Sequence, residues 1–257
     1  MSNIYKAFEN GKAFIAFLTC GDPDLEATER FIGDIADGGA DLIELGIPFS
    51  DPTAEGPVIQ EANIRALSAG TTTDRIFEMV RRVRKKTDVP MVFMTYANAV
   101  FSYGTERFAE TAAAAGMDGL ILPDVPYEEK EDFAPACRKH GMDFISFVAP
   151  TSEKRISMIA KEAEGFLYCI SSLGVTGIRK EIHSDISEMM DLVHSSTDIP
   201  AAVGFGISTP DQAAEMAARA DGVIVGSAIV KLIAQYGRDA GPYVREYVKS
   251  MKEGARR

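Results

Sequence analysis

The chain has 257 residues, with hydrophobic residues at 46% and charged residues at 25%, a balance that fits one or two soluble α/β enzyme domains. Its 38 acidic side chains outnumber the 27 basic ones for a net charge of −11, which argues against a nucleic-acid or anionic-membrane surface. Any anionic substrate must therefore be held by local donors against an unfavourable overall field.

In chain order, the residues ahead of position 13 are expected to form an extra N-terminal helix. Residues 13–18 then read as a strand and 26–36 as a helix, followed by a strand at 41–45. A helix at 73–86 leads to a strand at 91–95, and one at 105–115 to a strand at 119–122. The pattern continues with helix 128–140, strand 143–148, helix 153–163, strand 166–170, strand 201–204, helix 210–218 and strand 222–225. The strands are short and mostly apolar on both sides, as parallel strands covered on both faces are. Thr209 before Pro210, and Ser152 before Glu153, read as N-caps. Gly38-Gly39, Gly116 and Gly141 sit where helix ends favour a left-handed residue. No linker or low-complexity tract divides the chain. Eight β-α units in this length fit a single-domain (β/α)8 TIM barrel over residues 1–257, an α/β fold, with a doubly wound open sheet as the alternative.

Cys20, Cys137 and Cys169 have no CxxC spacing, and Cys169 lies in an apolar run as a small core residue. His140, His183 and His194 share no ligand spacing, so no metal site is expected. With no signal-like or membrane-spanning apolar stretch, a reduced, cytoplasmic protein is expected.

Barrel active sites form at the C-terminal ends of the strands. The segment at 42–57, L-I-E-L-G-I-P-F-S-D-P-T-A-E-G-P, lies at one of them and puts Glu44 inside an apolar strand. An ionised carboxylate there is costly to desolvate unless something uses it. Alternation groups Glu44 with Leu42 and Gly46, and Ile43 with Leu45. If the first face points inward, the carboxylate enters the barrel mouth; a structural ion pair or hydrogen-bonded core acid is the competing reading. Glu55 follows in a loop of Pro, Gly, Ser and Asp, and two acids in contrasting surroundings are a common way to separate acid and base roles. Asp41 reads as a solvated residue, and Asp22 and Asp51 as turn residues bonding nearby backbone.

Glycine-rich helix starts follow the seventh and eighth strands, G-F-G-I-S-T-P-D and G-S-A-I-V, where a phosphate cradle usually lies in this fold. Gly177, in L-G-V-T-G, would add a third donor, although turns need glycine in any case. No G-x-x-x-x-G-K-[ST] motif supports a nucleotide P-loop. Phe17, Phe49, Tyr96, Tyr168 and Phe205 lie at or near the same rim. Singly each is ordinary packing; together with two acids and an anion cradle they suggest a flat apolar substrate with a phosphate tail.

I-E-L-G-I-P-F-S-D-P-x-A-x-G-P-x-I-Q, F-L-T-C-G-D-P at 17–23, L-P-D-V-P at 122–126, L-G-V-T-G, G-F-G-I-S and V-G-S-A-I-V-K resemble the tryptophan synthase alpha chain family, in order and nearly end to end. The resemblance implies retro-aldol cleavage of indole-3-glycerol phosphate to indole and glyceraldehyde 3-phosphate. It makes Glu44 the general acid–base, with Glu55 as the second catalytic acid. Phe17, Tyr96, Asp124, Tyr168 and Thr176 match the substrate pocket, and Gly177, Phe205, Gly206, Gly226 and Ser227 the phosphate site. The loops at 48–57 and 172–185 resemble segments that close over substrate. The implied partner is the beta chain in an α2β2 complex, which receives indole and holds pyridoxal phosphate; no cofactor is implied for this chain. One departure stands out: the family's A-D-G-P reads A-E-G-P here, moving the carboxylate about one methylene outward, with the charge retained. Three roles follow as alternatives: an active lyase subunit, a standalone lyase, or a weakly catalytic activator of the beta chain.

Overall fold

The computed structural model describes residues 3–170, 182–204 and 206–257, with the side chains of residues 182–185 left out. Eight parallel strands close into a barrel in chain order. They are β1 (Ala13–Thr19), β2 (Leu42–Gly46), β3 (Met91–Met94), β4 (Gly119–Ile121), β5 (Asp143–Val148), β6 (Leu167–Ile170), β7 (Ala201–Gly204) and β8 (Gly222–Val225). Closure is made by β1 pairing with β8 in parallel, Ala13 opposite Gly222 and Ala16 opposite Val225, which excludes the open sheet.

The described helices are α1 (Leu25–Asp37), α2 (Pro57–Ser68), α3 (Thr73–Val83), α4 (Ala97–Tyr103), α5 (Thr105–Ala115), α6 (Ala134–Lys139), α7 (Glu153–Lys161), α8 (Ile182–Ser196), α9 (Pro210–Ala217), α10 (Ser227–Tyr236) and α11 (Gly241–Ala255). The extra N-terminal helix is a short 3-10 turn, Ile4–Phe8, whose Ile4 and Ala7 pack against the strand residues that fill the barrel interior. That interior is Ala13, Ile15, Leu42, Val92, Ile121, Ile145, Phe166, Ala202 and Ile224. Alternate residues, among them Phe14, Ile43, Leu45, Phe93 and Val203, face the helices in the larger outer core. Burial on both faces explains why each strand is apolar in nearly every position.

The caps form as the sequence predicts. Thr209 accepts from Gln212 N in a complete capping box, and Ser152 accepts from Arg155 N. Gly39, Gly116 and Gly141 have positive φ, whereas Gly38 is right-handed at φ −70°. Gly38 answers to packing instead: a Cβ there would lie 2.8 Å from the Arg245 carbonyl on α11.

Three expectations need correction. The helix read at 128–140 is two pieces, a 3-10 turn at Tyr127–Asp132 and α6, because Pro135 in the first turn of α6 has no N–H to continue the earlier one. Asp41 is not simply solvated: it accepts from Phe14 N at 2.6 Å and pairs with the Lys252 ammonium on α11, tying that helix to the base of the barrel. Asp22 is not a backbone-bonding turn residue. Its buried carboxylate takes both Nε and Nη2 of Arg65 at 2.8 Å, clamping the loop after β1 to α2. Replacing Arg65 by Met strands that carboxylate, and we expect about 2 kcal/mol of lost stability, less than for a fully buried pair because Arg65 is one-third exposed. A lower urea midpoint with unchanged slope is the measurement.

Candidate active site

The C-terminal mouth of the barrel is built from the last inward positions of the strands. Leu42 lies in the interior cluster, so alternation sends Glu44 and Gly46 inward with it. Phe17 is the register partner of Glu44 on β1. Glu44 is 1% exposed, and its Oε1 has no hydrogen-bond partner. Thr19 Oγ1, on the same inward side of β1, is the other such buried atom among the described residues. Among the described residues no ion pair holds Glu44, so nothing there supports the structural ion-pair reading. Burial pushes its carboxyl up to about 8, and the Tyr168 phenol is raised by its own burial and by the nearby Glu44 charge. The two groups lie within electrostatic reach of each other in the barrel mouth.

Three strand-end glycines let the Phe17 and Tyr168 rings approach the backbone closely. A Cβ on Gly46 would lie 2.7 Å from the Phe17 ring, and one on Gly204 would lie 2.7 Å from Tyr168 Oη. A Cβ on Gly226 would meet Phe17 at 3.2 Å. Phe147, inward on β5 and opposite Tyr168 in register, packs its ring at 4.8 Å from that of Tyr168. The sequence reading missed Phe147, although its alternation with Ile145 was the available signal.

Glu55 lies in the loop between β2 and α2. Its Oε2 accepts from Asn63 Nδ2 at 2.8 Å, and the Tyr96 hydroxyl lies close enough to favour its ionised form. Burial raises the pKa of Glu55, and these two neighbours oppose the rise. Tyr96 is pushed up to about 12, chiefly by burial, and its oxygen accepts from Ala54 N at 3.1 Å. Phe49 stacks on Tyr96 at 5.2 Å. Asn63 was also missed: it is a polar residue on the buried Ile59–Ala62–Ala66 face of α2, a helix the periodicity did not single out.

Asp124 has a different setting. Both its oxygens receive Ala97 N, at 3.0 and 3.1 Å, so it closes the start of α4 next to Tyr96. It also borders a cavity of about 280 Å³ beside the mouth, whose walls include Phe147 and Thr151 but not Glu44.

Of the two helix starts read as anion cradles, that of α9 is already filled by its own capping box, with Gln212 Oε1 accepting from Ser208 N and Thr209 N. Among the described residues no side chain caps the start of α10. Gly226 is its N-cap without any side-chain bond, and exposed Ser227 is its first residue. Exposed Gly206 approaches in the left-handed region at φ +78°. Backbone N–H groups at an uncapped helix start favour an anion. Thr176, Gly177 and Phe205 lie outside the described residues, as does most of the 172–185 loop.

A closed β/α barrel with a buried carboxyl at its C-terminal mouth and a second acid in the adjoining loop has the architecture of the barrel enzymes, whose active sites lie at that end. The comparisons narrow this further. Residues 5–256 match the family model described as tryptophan synthase alpha chain, and the chain belongs to that family. The tryptophan synthase alpha chain of Lacticaseibacillus casei is 45% identical over 252 residues, covering 98% of this chain and 95% of that one. That of Geobacter sulfurreducens is 49% identical over 244 residues, covering 94% and 92%. The crystal structure of tryptophan synthase subunit alpha from Legionella pneumophila superposes with TM-score 0.90 at 36% identity, covering 100% of this chain and 99% of that one. A chain of the Pyrococcus furiosus tryptophan synthase complex gives 0.85 at 34% identity, covering 95% and 98%.

Proposed function

We propose that the chain, as one barrel domain over residues 1–257, cleaves indole-3-glycerol phosphate to indole and glyceraldehyde 3-phosphate. The single observation that carries this is Glu44: a buried carboxyl in the barrel mouth whose Oε1 has no hydrogen-bond partner among the described residues, in a chain of this family. With its pKa near 8 it stands protonated at neutral pH. It gives that proton to the indole C3, leaving positive charge on the ring, which Glu55 stabilises at the ring N–H. The resulting Glu44 carboxylate takes the proton of the side-chain hydroxyl. The carbon–carbon bond to C3 breaks, its electrons return to the ring, and the hydroxyl carbon leaves as an aldehyde. Glu44 ends protonated, so the cycle balances.

In this reading Phe17, Tyr96, Asp124, Tyr168 and Thr176 enclose the indole and glycerol parts. Gly177, Phe205, Gly206, Gly226 and Ser227 hold the phosphate, helped by the open start of α10. Ser227→Asp tests the cradle. An acid in the first turn suits the helix dipole, so stability should hold, while repulsion of the phosphate should raise KM by about 10- to 100-fold. An unchanged KM would place the phosphate elsewhere.

We assign the beta chain as partner in an α2β2 assembly, to which indole passes, in keeping with the P. furiosus structure being that of a complex. Pyridoxal phosphate belongs to that partner, and the location is cytoplasmic. No described helix is long and apolar enough to cross a membrane. Indole release by the purified chain, with and without a beta chain, tests both activity and dependence; equal rates would mark a standalone lyase.

A further inference from the structure

We infer that Asn63 is a positioning residue for Glu55, holding one carboxylate oxygen so that the other faces the substrate, and that this contact absorbs the extra methylene of Glu at this position. The inference rests on the reading of Glu55 as the acid that meets the ring N–H.

The surrounding structure leaves little else free to set that carboxylate. On one side of Glu55, Ala54 N is bound to Tyr96 Oη at 3.1 Å. At Glu55 itself the backbone carbonyl accepts from Gln60 Nε2 at 2.7 Å, and α2 begins two residues later. The side chain alone has rotational freedom, one torsion more than an Asp would have. Asn63 lies two turns into α2 on its buried face, 4% exposed, and its Nδ2 reaches Glu55 Oε2 at 2.8 Å. A buried amide on an apolar stripe is costly without a partner, and here the partner is the carboxylate. Its mounting is firm, because Arg65, two residues on, is clamped in both nitrogens by buried Asp22. Tyr96 meets the carboxylate as well, from the end of β3. A donor on an anchored helix can hold a longer acid in the geometry a shorter one would reach unaided.

A double-mutant cycle on indole-3-glycerol phosphate cleavage tests this. Asn63→Ala should lower kcat by about tenfold with KM within about twofold, since the contact orients a group rather than binding ground-state substrate. Asn63→Asp keeps the shape, removes the donor and adds a like charge, so its loss should be larger; it also serves the cycle if the Ala variant does not fold. In a Glu55→Ala background neither change at 63 should lower kcat further. The same fractional loss in both backgrounds, or a loss confined to KM or to thermal stability, overturns the positioning role. If Glu55→Ala alone leaves kcat unchanged, the assignment of Glu55 fails, and the role of Asn63 with it. That result is distinct from the others because it needs no change at 63.

Discussion

Replacing Glu44 by Gln should abolish indole release, lowering kcat by at least about 10³-fold, because both proton transfers pass through one group and general acid–base catalysis contributes roughly 10²–10⁴-fold. The same change should stabilise the protein at alkaline pH. Burial raises this carboxyl from its ordinary 4.5 to about 8. Between those values the unfolded chain has released the proton and the folded one still holds it. Stability therefore falls as pH rises through the window, and above it the folded state carries a buried charge. Gln has no such charge, so its advantage should grow from about pH 4.5 to 8 and reach on the order of 5 kcal/mol. Urea midpoints at pH 5 and 9, taken on both proteins at about the same ionic strength, read this directly. Wild-type activity should fall above about pH 8, where the free enzyme loses the acid. Normal turnover in the Gln variant would remove Glu44 from the mechanism.

Glu55→Gln should lower kcat by about 10²-fold, roughly 2.7 kcal/mol of barrier, by removing the charge that offsets the ring cation while keeping the side chain's length. The acid side of the pH profile belongs to the same residue. Its pKa lies above the ordinary 4.5, so activity should decline on acidification at a higher pH than a free carboxylate would give. Glu55→Asp is the informative partner experiment. With Asn63 holding the present carboxylate, we expect a change in kcat of no more than about threefold. A gain of orders of magnitude would instead make the native chain a weak catalyst whose main task is to activate its partner; no feature of the site favours that reading.

Most of the barrel is legible in the sequence because parallel strands covered on both faces must be apolar at nearly every position. All eight runs appear as strands with ends within one residue of the reading, Leu42–Gly46 for 41–45 being typical. Glu44 is legible for the same reason inverted: a carboxylate breaks the apolar run, and alternation places it with Leu42. α2 was missed because its first turn is Pro57 after a loop of turn residues and its buried stripe includes Asn63. Asp22 and Asp41 were misread because both occupy turn-like local sequences while their partners, Arg65 and Lys252, lie 43 and 211 residues away.

The sequence by itself determined the strand count, the two acids, the strand-end glycines and the family, since these depend on local pattern and on motifs read in order. Only the tertiary structure decided that, among the described residues, Glu44 has no ion-pair partner, that α9 is capped by its own side chains while α10 is not, and that Glu55 is met by Asn63. The physical reason is that a side chain's charge state and orientation depend on what barrel closure brings against it. Burial and a single hydrogen bond across the mouth each weigh as much as the residue's own chemistry, and neither is a property of its neighbours in the chain.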